Sequence, residues 1–154
     1  MHPDPKPCDD AAPAAGRARL VGLGIVFLWF LIGGIAHFVA TETEMRIVPP
    51  ALPWPRAIVL VSGVFELLGA AGLLWPASRR AAGVGLFALT IAVTPAHIYM
   101  LQHPELFGVP YWALVARLPL QVALLALIAW SAIARPDGDS RGTGRRSGHH
   151  PARR

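Results

Sequence analysis

Five side chains carry the chemistry open to this sequence: His37, Glu66, His97, Arg117 and Gln121. Each stands within or at the edge of a long apolar run, with Ser62, Thr90 and Thr94 as polar companions. A charged group at the centre of a bilayer costs about 2.5 to 3.5 kcal/mol on insertion scales, so each ionisable residue there needs a partner or a purpose. Helical spacing organises them. Ser62, Glu66 and Gly69 fall at i, i+4 and i+7, as do Thr90, Thr94 and His97. Arg117 and Gln121 are one turn apart, and so are Gly33 and His37, which gives every helix one polar stripe. One chemistry is structural: Glu66 paired with Arg117, and the histidines and Gln121 hydrogen-bonded across helices, would hold a bundle together. The other is a site for a small molecule, a quinone headgroup or a proton, which intramembrane ionisable groups commonly mark. A narrower version makes His37 and His97 axial ligands of a haem. It is disfavoured, because hydrogen-bonding histidines outnumber ligands.

The elements that must position these residues follow from the apolar runs. Hydrophobic residues make up 54% of the 154, and charged residues only 15%. Runs at about 20–38, 57–74, 81–100 and 112–133 are each long enough to cross a ~30 Å hydrocarbon layer at ~1.5 Å per residue. Unbroken Leu, Ala, Val and Ile lack the alternation of a barrel strand, so the fold class is all-α, a four-helix transmembrane bundle over residues 19–134. Residues 1–18 and 135–154, rich in Pro, Gly, Ser, Asp and Arg, are expected to be a disordered leader and a disordered basic tail.

Charge sets the orientation. With an inside N-terminus, the cytoplasmic segments hold eleven Lys and Arg and the external loops two, which places both termini in the cytoplasm. The basic residues thus follow topology, and the net charge of +5 gives no reason to invoke nucleic acid. Cleavage after Gly34-Ile35-Ala36 as a signal peptide would cut within the first run, which favours a retained helix. Cys8 is the single cysteine, so the chain has no disulfide, no Cys-x-x-Cys, no thiolate zinc site and no His-Glu-x-x-His; no metal site is expected, and any redox centre belongs to a partner or a bound cofactor. The oligomeric state is not legible.

In that orientation His37, His97 and Arg117 sit near the external ends of their helices, and Glu66 lies ~14 Å below the outer start of its own. The residues converge on the outer half of the bundle, with Arg117 the natural counter-ion of Glu66. Pro95 and Pro119 are expected to break their helices there and free backbone carbonyls. Pro49, Pro50, Pro53 and Pro55, interleaved with Ile47, Val48, Leu52 and Trp54, forbid a regular helix and suit a segment lying along the interface as a cap.

The stretches Ile47-Val48-Pro49-Pro50-Ala51-Leu52-Pro53 and Ser62-Gly63-Val64-Phe65-Glu66-Leu67-Leu68-Gly69 resemble the DoxX-like family of small four-helix bacterial membrane proteins. So do His37-Phe38, Pro95-Ala96-His97-Ile98-Tyr99-Met100 and Arg117-Leu118-Pro119-Leu120-Gln121, and the likeness runs from about Gly22 to Trp130. The resemblance implies a multi-pass protein of the bacterial cytoplasmic membrane and a small subunit or accessory of a quinone-linked redox complex. It carries over Glu66, Arg117 and Gln121 as a polar core. One departure is His97, where the family usually has Asn, a hydrogen-bonding side chain but no haem ligand. The alternative is a non-enzymatic membrane protein, a small transporter or an assembly factor, with a purely structural polar core.

The charge count makes Cys8 a built-in probe of topology. A membrane-impermeant thiol reagent is expected to label it only after cells are broken; labelling of intact spheroplasts would reverse the orientation.

Overall fold

A computed structural model describes residues 11–134. The chain forms α1 (Ala11–Val39), α2 (Thr41–Met45), α3 (Pro55–Leu73), α4 (Arg79–Ala92), α5 (Thr94–Gln102) and α6 (Tyr111–Ile128), with a 3-10 turn at Pro104–Leu106 and a π-helical turn at Ala129–Ile133. α4 and α5 together make one span, and α6 with the π turn makes another. Four stretches are long and apolar enough to cross a membrane: Ala15–Val39, Pro55–Leu73, Arg79–Gln102 and Tyr111–Ile133. The fold is an all-α four-helix bundle. Only 17% to 28% of each span is buried inside it. Leu20, Ile32, Leu68 and Val122 are among the large side chains facing outward. Apolar surface on that scale is at rest only in lipid, so this is a multi-pass membrane protein.

Two boundaries differ from the sequence expectation. Helix α1 begins at Ala11, so residues 11–18, expected to be disordered, are helical. Ala-rich sequence sustains helix beyond the apolar run, because Ala loses no side-chain entropy there. The rest of the expected leader, Cys8 included, and the expected tail at 135–154 lie outside the described residues. The third span starts at Arg79, whose Nε donates to the carbonyl of Leu73 at 3.1 Å, while the Ser78 hydroxyl donates to that of Gly72 at 2.9 Å. These two bonds cover the carbonyls left open at the end of α3.

The bundle is divided along its length. At the end carrying the first and last described residues, an apolar core is built from Leu23, Val26, Phe30, Ala70, Leu86 and Ile128 and their neighbours. Arg19 staples this end: its Nε donates to Ser131 O at 2.8 Å and its guanidinium also reaches Ala134 O. A cation on the open carbonyls of a helix C-terminus is favourable for both. The polar residues occupy the other half, under the loop from Ala40 to Trp54.

Close approach of α1 and α3 holds the halves in register. A Cβ on Gly63 would lie 2.7 Å from His37 Cβ, 3.1 Å from the Phe38 ring and 3.2 Å from the carbonyl of Gly34. Backbone cannot yield there, so only hydrogen fits. Gly63→Ala is expected to lower stability by about 1 to 3 kcal/mol through overpacking. Gly24, which has nothing within 4 Å of an added Cβ, provides the contrast. Gly24→Ala should be neutral or raise the melting temperature, since Ala costs a helix less entropy than Gly. Thermal melts in detergent compare the two, and equal destabilisation would remove the close-approach argument.

Candidate functional site

Pro95 sets the site in motion. It has no N–H to offer, and the third span breaks at Val93 so that Pro95 falls in the first turn of a new helix, where no donor is required. The break leaves carbonyls at the end of α4 without their helical partners. Gln121, on α6, closes one of them: its Nε2 donates to Thr90 O at 2.7 Å and to Thr94 Oγ1 at 2.8 Å. Its Oε1 lies 2.6 Å from His97 Nδ1. Pro119, by contrast, is carried inside α6 without ending it, so the second expected break does not occur.

This network fixes hydrogens that geometry alone would leave open. A backbone carbonyl only accepts, so the amide nitrogen of Gln121 must face Thr90 and its oxygen must face His97. That oxygen also only accepts, so His97 Nδ1 carries a proton and donates it. In the neutral imidazole, Nε2 is then a bare lone pair. Gln121 is buried, at 9% exposure, and both N–H donors and one lone pair of its amide are used inside the bundle.

The expected pair of Glu66 with Arg117 does not form. Glu66 Oε1 instead lies 3.4 Å from His37 Nε2, both side chains being about six-sevenths buried, at 13% and 16% exposure. The reason is α1–α3 packing. Gly33 has no side chain where Glu66 Oε2 lies, 2.7 Å from the position of a Cβ, so the carboxylate turns toward α1 and away from α6. Arg117 is left with a 3.9 Å contact from Nη1 to the sulfur of Met100, and it has no carboxylate within salt-bridge range among the described residues.

Two cavities meet at the polar cluster. The one beneath the loop, about 230 Å³, is lined by His37, Glu66, His97 and Arg117 and roofed by Ile47, Val48, Pro49 and Leu52. The deeper one, about 360 Å³, shares Glu66, His97 and Arg117, adds Gln121 and Thr90, and continues into Trp29, Phe30 and Leu124. The structure therefore brings all five sequence-selected residues together, although no one cavity holds all five. Glu44 is the residue the sequence reading missed. It lies on α2, lines the cavity beneath the loop, and also lines a third space of about 150 Å³ with Arg46 and Arg117. Its position seven residues after His37, two helical turns further on, was the available signal.

Residues 26–134 match a family described as a domain of unknown function (DUF8561). The chain belongs to this family. The DUF8561 match spans the second half of α1 and all of α2, α3, α4, α5 and α6, and hence every residue of the polar cluster. No curated protein and no solved structure matches the chain.

The geometry separates two classes of substitution. Gln121→Leu removes three hydrogen bonds inside the bundle, and at the roughly 0.6 kcal/mol average of such bonds in membranes should cost about 2 kcal/mol. Arg117→Gln breaks no carboxylate bond and should melt within about 0.5 kcal/mol of the parent, as substitutions away from such networks do. An Arg117→Gln protein that melts as early as Gln121→Leu would restore the ion pair to Glu66.

Proposed function

We propose that the polar half of the bundle is a binding site for a quinone headgroup, in a small subunit or accessory of a quinone-linked membrane redox complex. The observation that carries this reading is the pair of adjoining cavities, polar where Glu66, His97 and Arg117 line both and apolar where Trp29, Phe30 and Leu124 continue the deeper one. A quinone has the same division, a polar ring and a hydrocarbon tail. The residues fit it: the accessible Arg117 offers N–H donors to a carbonyl oxygen, and His97 Nε2 offers an acceptor. The likeness of the Ile47–Pro53, Ser62–Gly69 and Arg117–Gln121 stretches to the DoxX-like family supports the same assignment. So does an orientation with both termini in the cytoplasm of a bacterium, which rests on eleven basic residues against two and puts the cluster toward the external face. Electrons would reach the quinone from a partner or a bound cofactor, since the sequence holds neither a cysteine pair nor a His-Glu-x-x-His.

The alternative is a non-enzymatic membrane protein, a small transporter or an assembly factor, whose cluster is glue. Three hydrogen bonds between Gln121 and groups inside the bundle favour it. Ligand-induced stabilisation distinguishes the two. Decylubiquinone, tested oxidised and reduced, is expected to raise the melting temperature of the purified protein in at least one form. Arg117→Gln should melt like the parent without ligand and lose most of that shift. Absence of a shift in both redox forms would leave the structural core as the reading.

A further inference from the structure

The hydrogen-bond polarity of the cluster goes one step further and depends on the quinone-site reading just given. We propose that the site selects the reduced, hydroxyl-bearing form of a membrane-dissolved ring compound, received by His97 Nε2 from the bilayer through the gap between Trp29 of α1 and Leu120 of α6. Two observations carry the proposal.

The first is the direction of the His97 bonds. The chain of Thr90 O, the Gln121 amide and His97 Nδ1 leaves no freedom: each member has its donor or acceptor role forced by the one before it. His97 therefore spends its donor inside the bundle. Nε2 makes no hydrogen bond to the described residues, and it is not among their buried unpartnered atoms, which comprise His37 Nδ1 alone. It is accessible, and His97 lines both cavities. An acceptor facing a largely apolar space is completed by an O–H and left uncompensated by a carbonyl oxygen. Glu66 adds acceptor oxygens on the same side, already shared with His37. Arg117 is the one cationic donor lining both cavities, and it serves an oxygen in either redox state.

The second observation is the wall. The deeper cavity is bounded by Trp29 and Leu120, and both also face outward, at 47% and 48% exposure. They stand on helices of the bundle surface that lipid surrounds. The space beneath the loop is roofed by apolar side chains, among them Val48 and Leu52. A cavity wall whose residues also face lipid is the basis for assigning the lateral route to His97 between α1 and α6.

The test uses the full chain in detergent under anaerobic conditions. Three probes share one tail and one ring: decylubiquinol, decylubiquinone and the dimethyl ether of decylubiquinol, which cannot donate. Decylubiquinol should bind about tenfold more tightly than either of the others, the worth of one hydrogen bond to an otherwise unsatisfied polar group. Gln121→Leu should reduce that ratio toward one, since the imidazole is then free to exchange its proton and turn. If that variant does not fold, ¹⁵N spectra of histidine-labelled parent protein, assigned with His97→Asn, should still show a protonated Nδ1 and a bare Nε2. Leu120→Trp should slow binding of decylubiquinol by narrowing the gap, and an unchanged association rate would overturn the lateral route. Equal or tighter binding of decylubiquinone would overturn the selectivity while leaving the quinone site in place. Binding of neither redox form would overturn both.

Discussion

The carbonyl of Thr90 is the group on which the polar half of this protein depends. A backbone acceptor inside a membrane has no water to turn to, and leaving one open costs several kcal/mol. The interruption before Pro95 frees carbonyls at the end of α4, and Gln121 on the neighbouring helix supplies the donor for Thr90. That single requirement orients the amide, the amide orients His97, and His97 presents its second nitrogen to the cavities. A helix break is thereby converted into a positioned acceptor. The third and fourth spans are joined by the same bonds, so the device that exposes the imidazole also holds the bundle closed.

Packing of α1 against α3 governs the other side of the cluster. Gly63 lets the two helices approach to the point where His37 Cβ and the Gly34 backbone are neighbours, and Gly33 leaves a notch for the Glu66 carboxylate. The two glycines therefore settle a question of electrostatics. Glu66 is drawn to α1 and to His37, and Arg117 on α6 is left without a carboxylate partner in range. A guanidinium near the membrane is costly unless it is solvated or paired, and Arg117 borders all three of the spaces around the cluster.

Much of this was written in the sequence in a form that physical reasoning can use. Four apolar runs fix four spans because lipid forbids every other way of satisfying the backbone. The i, i+4, i+7 spacing of Thr90, Thr94 and His97 put them on one stripe, and they do meet Gln121 together. What was not legible was who pairs with whom. Opposite charges suggested Glu66 and Arg117, whereas the partner is set by the distance between helix axes, and that distance depends on glycines whose effect appears only when two helices are placed side by side. The two prolines show the same limit. Pro95 and Pro119 have identical chemistry, yet one falls in the first turn of a new helix and the other rides inside α6. Glu44 stands seven residues after His37, but that spacing carries meaning only once the loop is seen to begin with the short helix α2.

The division of the bundle bears on how stability and binding are shared. The terminal half is built around Val26, Phe30, Ala70 and Ile128, with Arg19 across its end and an open apolar groove of about 590 Å³ between α3 and α4. The polar half encloses cavities of about 360 Å³ and 230 Å³, space that an optimally stable core would have filled with side chains. Its residues are held individually: His97 by Gln121, Glu66 by His37 and the Gly33 notch, and the roof by α2 and the prolines that follow it. Groups held from outside the cavity, with their free atoms turned into it, are preorganised, and a ligand that meets them pays little to order them. A cluster serving only as glue would turn those atoms toward each other, and here Gln121 does so while His97 Nε2 and Arg117 do not. In the proposed binding role the distinction between glue and site runs between neighbouring residues of one network, with Gln121 as the structural member and His97 and Arg117 as the members that would meet a ligand.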